Sequence, residues 1–174
     1  NQMTGTLFAI AKDVKIQVEF NPKAIKAYRL IGYENRMLKK EDFKDDTKDA
    51  GELGVGHTVT ALYELERENQ TTPDAATINL RYKEPNASQS RLIQKKVPNT
   101  LIFLNQASED LRFAVAVAEF GLLLRNSSAK GTANYKQIKE MAEKSKGGDD
   151  DGARAEFLEL VHAADSLFQA LPQK

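Results

Sequence analysis

The densest group of chemistry-bearing side chains lies between Glu41 and Glu52, where Glu41, Asp42, Asp45, Asp46, Asp49 and Glu52 are interleaved with lysines. Clustered carboxylates can hold calcium, because a hard dication takes several oxygen ligands at once. The order of residues matches no EF-hand loop, and Lys39, Lys40, Lys44 and Lys48 compete for the same carboxylates. The charge pattern therefore predicts a solvated loop. A calcium- or carbohydrate-binding alternative would use Asp45, Asp46 and Asp49. The run Asp149-Asp150-Asp151-Gly152 stands directly before a helical pattern. Carboxylates there accept backbone N–H groups and face the positive end of the helix dipole, so capping is the expected role.

Other chemistries find less support. The glycines of Gly51-Glu52-Leu53-Gly54-Val55-Gly56 precede a strand pattern, whereas a phosphate cradle follows a strand and opens a helix. That segment reads as a connector. His57 and His162 are the only histidines. A general base needs an orienting carboxylate and a nucleophile within reach, and neither histidine has a sequence pattern that supplies them. With no cysteine, thiolate zinc sites, disulfides and cysteine nucleophiles are excluded. The reading is non-enzymatic, with no cofactor. Tyr28, Arg29, Tyr33, Glu34, Asn35 and Arg36 instead gather residue types that recur at protein interfaces. The same Tyr and Arg could pack and pair within a sheet. The loop from Lys39 to Gly56 is the other expected contact surface, since binding residues concentrate on loops held by a scaffold.

The elements that must position these residues change character halfway along the chain. In the first half, Val14, Ile16, Val18 and Phe20 alternate with Lys15, Gln17 and Glu19, which predicts a strand with its apolar side buried. Further strand patterns cover 24–35, 57–66 and 77–83, with a weaker one at 90–97. Strands joined by loops argue for an antiparallel sheet or sandwich of about five strands. In the second half, Ser108 can cap a helix that is apolar on most sides from Leu111 to Leu124. Gly121 within it predicts a close crossing by another element. Asn134–Lys144 forms a shorter helix. The third carries a stripe of Phe157, Leu160, Val161, Ala164, Leu167, Phe168 and Leu171. The expected fold is α+β: a β-rich lobe over 1–104 followed by a three-helix lobe over 105–174 packed on it, as one compact unit.

Composition agrees with a globular chain. Lys+Arg and Asp+Glu each number 25 among 174 residues, and 41% of residues are apolar. A balanced charge offers no field for nucleic acid or an anionic membrane. The longest apolar run, Phe113 to Leu124, is too short to span a bilayer.

Several words in this chain also resemble a known family. They are Thr6-Leu7-Phe8-Ala9-Ile10-Ala11-Lys12-Asp13-Val14-Lys15, Val18-Glu19-Phe20-Asn21-Pro22 and Tyr28-Arg29-Leu30-Ile31-Gly32-Tyr33-Glu34-Asn35-Arg36. Ala50-Gly51-Glu52-Leu53-Gly54-Val55-Gly56-His57-Thr58-Val59-Thr60-Ala61-Leu62-Tyr63-Glu64, Leu80-Arg81-Tyr82-Lys83 and the stretch from Phe113 to Arg125 follow in order. Together they resemble the C-terminal domain of unknown function of bacterial von Willebrand factor type A domain-containing proteins, over nearly the whole chain. The resemblance implies an A domain preceding this region, and a cell-envelope, periplasmic-side setting through a lipoprotein-type anchor on the parent. It implies the adjacent A domain of the same chain as partner, with Leu7, Phe8 and Ile10 near the boundary available to contact it. The Asp-x-Ser-x-Ser word of the A domain's adhesion site is absent, so its metal chemistry does not carry over. The start at Asn1 reads as a boundary just after the A domain.

Overall fold

The computed structural model describes residues 9–32, 37–68 and 71–170. The chain divides into two compact units between Leu101 and Ile102. Antiparallel strands build the first unit and helices the second, an α+β architecture.

In the first unit β1 (Ala9–Phe20), β3 (Gly51–Gly54), β5 (Asp74–Lys83) and β6 (Arg91–Pro98) form a four-stranded sheet in the order β3-β1-β5-β6. Two further strands, β2 (Ile25–Ile31) and β4 (Leu62–Arg67), pair as a separate antiparallel ribbon. The Asn21-Pro22 turn joins β1 to β2. Asn21 donates its backbone N–H to the Ala75 carbonyl at 2.8 Å and its side-chain amide to the Asp74 carbonyl at 2.9 Å. Phe20 then joins the two sheets: its ring lies 4.4 Å from that of Tyr28 and 5.3 Å from that of Tyr63. Such offset and edge contacts between aromatic rings add stability beyond the apolar area they cover.

The alternation read in β1 is present, but the side that is buried at its centre is the polar one. Lys15 is 4% exposed and its neighbour Ile16 is 52% exposed. The expectation that Lys15 faces solvent and Ile16 the core is thus reversed, because the loop following β2 folds over the polar side. Polar residues continue across that side: Gln94 donates to the Asn79 side chain at 2.8 Å, and Asn79 is buried. Two more expectations fail at the next strand. The glycine-bearing connector contains β3, paired with β1, and the strand expected from His57 begins only at Leu62. Val59, within that expected strand, is exposed.

The second unit contains α1 (Glu109–Leu124), α2 (Tyr135–Lys144) and α3 (Ala153–Ala170). Side chains cap the N-terminus of each helix, at Ser108 and Asp149 as the sequence led one to expect and at Asn134 in addition. Ser108 accepts from the Leu111 N–H at 3.2 Å and Asn134 from the Gln137 N–H at 3.0 Å. Both oxygens of Asp149 are used, accepting from the N–H groups of Arg154 and Ala155 at 2.9 Å each. The core comprises Phe113, Ala116, Phe120, Ile138, Ala142 and Val161, with Phe157 edge-on to both phenylalanines. Arg154 ties the helices together by lying 4.9 Å over the Phe113 ring, pairing with Asp110 and donating to the Ser145 and Lys146 carbonyls.

Two helix expectations are corrected. A Cβ built at Gly121 would meet no atom within 4 Å, so no close crossing explains that glycine. The stripe on α3 is wider than the core: Val161 is buried while Leu160 and Leu167 remain exposed. Leu171 lies outside the described residues.

Candidate interaction surface

The acidic loop is held down by two lysines of the sheet. Lys15 donates its ammonium to the backbone carbonyls of Asp42, at 3.2 Å, and Asp45. Lys83 donates to the Asp46 carbonyl and to the Asp13 carboxylate, each at 2.7 Å. Asp13 closes the arrangement by accepting from the Ala50 N–H at 3.2 Å. Asp13 sits at φ 50°, a left-handed conformation that costs a non-glycine residue energy and persists only where surrounding bonds over-determine it. Phe43, in the short 3-10 turn Glu41–Phe43, supplies the loop's buried apolar contact, with Arg81 5.7 Å from its ring centre.

Two of the three carboxylates named as cation ligands already accept hydrogen bonds. Asp45 accepts from the N–H and hydroxyl of Thr47 at 2.9 and 2.7 Å, and Asp46 accepts from the Ser90 N–H at 3.2 Å. Asp49 is exposed. Among the described residues no group of three or more acidic or histidine side chains is placed to hold a metal ion. His57 lies exposed after β3 and His162 lies exposed on α3. No helix among the described residues is long and apolar enough to cross a membrane.

These bonds also set the acid response of the loop. Hydrogen bonding from Lys83, then from the Ala50 N–H, holds the Asp13 carboxyl below its ordinary value. Hydrogen bonding from Ser90 lowers Asp46 in the same way. A carboxyl with a folded pKa below its unfolded one stabilises fully above the unfolded value and loses that contribution as pH falls through the folded value. Thermal melts below the usual carboxylate range should therefore show a steeper loss of stability for the native chain than for Asp13→Asn, whose curve is expected to be flatter there. Equal acid slopes would show that the Asp13 pair adds nothing to folding.

The other candidate surface is the β2–β4 ribbon. Tyr28 is 60% exposed although its ring rests on Phe20. Arg29 pairs with Glu64, and Lys26 with Glu66, as cross-strand ion pairs in solvent. Burial, aided by the nearby Tyr28, pushes the Tyr63 hydroxyl up. Among the described residues no third strand joins the ribbon, so both its outer edges are free of sheet partners. Tyr33, Glu34, Asn35 and Arg36 lie outside the described residues, as do Leu7 and Phe8, while Ile10 is half exposed. Tyr28 and Arg29, consecutive on β2, point to opposite sides of the ribbon, Tyr28 to the side of Phe20 and Arg29 to the side of its partner Glu64. Sequence reasoning missed Lys15, Asp13 and Lys83; the only signal was an acid between two lysines on β1 facing a lysine on another strand.

Fold and surface define an antiparallel α+β module made of two units. The chain belongs to the family described as the C-terminal region of uncharacterized protein YfbK, whose model matches residues 5–167. It is 37% identical over 186 residues to a protein of Escherichia coli (strain K12) described as "Uncharacterized protein YfbK". That alignment covers 96% of this chain and 32% of the relative, so the chain spans about a third of that protein's length. No solved structure matches the chain.

Proposed function

We propose that the chain is a non-catalytic interaction module that supports or orients a von Willebrand A domain in the same protein, at the bacterial cell envelope. The observation that carries this reading is the β2–β4 ribbon, where Tyr28 is offered to solvent on a Phe20 backing while Arg29 is presented from the ribbon's opposite side. Tyrosine and arginine are the residue types that most often dominate binding energy when a partner covers them. A relative about three times as long as this chain leaves room for a further domain in such a protein. The words shared with A-domain proteins, named above, supply the identity of the neighbour.

The test is calorimetric titration of this chain with the separately produced A domain, with and without magnesium. Tyr28→Ala is expected to weaken binding at least tenfold, the usual mark of an interface anchor. Arg29→Ala should leave the melt nearly unchanged, because exposed ion pairs contribute about 0–1 kcal/mol. Absence of binding by a folded chain would defeat the reading.

A further inference from the structure

We propose that the outer edge of β6 takes up, as a fifth strand of the larger sheet, an extended polypeptide segment whose residues on one side alternate between apolar and acidic. This surface is separate from the β2–β4 ribbon and does not depend on the role assigned to it. Three observations converge on the edge.

The first is the open ladder. β6 pairs with β5 along its length and ends the strand order, so its other backbone edge has no partner strand among the described residues. Unpaired edges are templates for strand addition, with affinity from main-chain hydrogen bonds and specificity from alternate side chains.

The second is the apolar row that runs to this edge and stops. Ile16 stands opposite Leu80, and Leu80 opposite Ile93, so the three form one cross-strand row on one side of the sheet. Its outer members are Ile16 at 52% and Ile93 at 50% exposed. Directly opposed apolar side chains are the unit by which a sheet is stabilised, and an added strand would extend this row past Ile93. Leu92, pointing to the opposite side, is also exposed.

The third is charge, which selects the occupant. Arg91, Lys95 and Lys96 line β6. Arg91 pairs with Glu84 and Lys96 with Asp74. Lys95 stands opposite Ile78, itself opposite Val18, so its row contains no acid. A second copy pairing antiparallel about Lys95 would set that lysine against its own equivalent, and like charges directly opposite are destabilising, while pairing about Gln94 would set Ile93 against Lys95 and leave the apolar row unmatched. A segment with an apolar residue opposite Ile93 and acids opposite Arg91 and Lys95 meets the row and the charges together. Lysines on an edge also serve to repel strands in general. That role and the present one predict opposite results with an acidic strand.

The probe is the synthetic peptide Val-Glu-Glu-Thr-Val-Val-Glu, written to lie antiparallel to β6 from Val97 back to Arg91. It would be titrated into the isotope-labelled chain while backbone amide signals are followed. Shifts concentrated at 91–98 are expected, abolished when the peptide is N-methylated along its bonding edge. Lys95→Glu should weaken binding roughly tenfold, as an attractive cross-strand pair becomes a repulsive one. The same variant should gain affinity for the peptide in which only the glutamate opposite position 95 is replaced by lysine. Ile93→Thr, which shortens the apolar row at an exposed position, should also weaken binding while leaving the melt close to that of the native chain. No shifts on β6, equal binding of acidic and basic peptides, or self-association through β6 would each overturn the proposal.

Discussion

Lys15→Met is expected to lower the unfolding free energy by about 2–4 kcal/mol and to loosen the loop over residues 41–50. Methionine keeps most of the aliphatic stem but has no donor. The carbonyls of Asp42 and Asp45, which now accept from the ammonium, would lose that partner. Leaving a buried acceptor unsatisfied costs about 1–3 kcal/mol, and two are affected. The relief of the lysine's own desolvation works in the opposite direction, which keeps the expected sum below the upper limit. Chemical denaturation gives the free energy, and limited proteolysis after Lys39, Lys40, Lys44 and Lys48 reports the loop, because cleavage follows local opening. Faster cleavage with unchanged global stability would mean the lysine holds only the loop. Unchanged cleavage and unchanged stability would mean the two carbonyls are satisfied by water in solution.

That buried lysine also marks where the sequence ceased to be a guide. Period two located β1 and correctly grouped Ile16, Val18 and Phe20 on one side, since Leu80, Ile78 and Ala76 oppose them in turn. Periodicity says which residues share a side, not which side is covered. Cover at Lys15 comes from a segment some thirty positions away, through backbone carbonyls that any residue type could have supplied. No composition rule reads such a contact. The caps at Ser108 and Asp149 were legible because these side chains act on N–H groups within a few positions. Tyr28 and Arg29 were legible as interface residue types, but the Phe20 ring that backs Tyr28 arrives through the turn at Asn21-Pro22. Gly121 misled because its helix cost suggested a packing reason, and the space beside it is open.

The helical unit offers the larger effect. Ile138→Ala is expected to cost about 2–5 kcal/mol, the range for deleting buried branched methyls when the cavity does not collapse. Ile138 has no exposed surface and sits among Phe113, Ala116, Phe120, Ala142 and Val161. Phe157 is held edge-on against both core phenylalanines, which restricts the movement that would fill the void. The comparison that isolates packing from helix propensity is Leu167→Ala on α3. Leu167 is 69% exposed, so the same kind of truncation should change stability by no more than about 0.5 kcal/mol. Both would be read from the loss of helical circular dichroism in denaturant. Near-equal costs at the two sites would place Leu167 under cover in solution and make the exposed stripe of α3 an interface. A large difference would confine the packing energy of this unit to the core defined by Phe113, Ile138 and Val161.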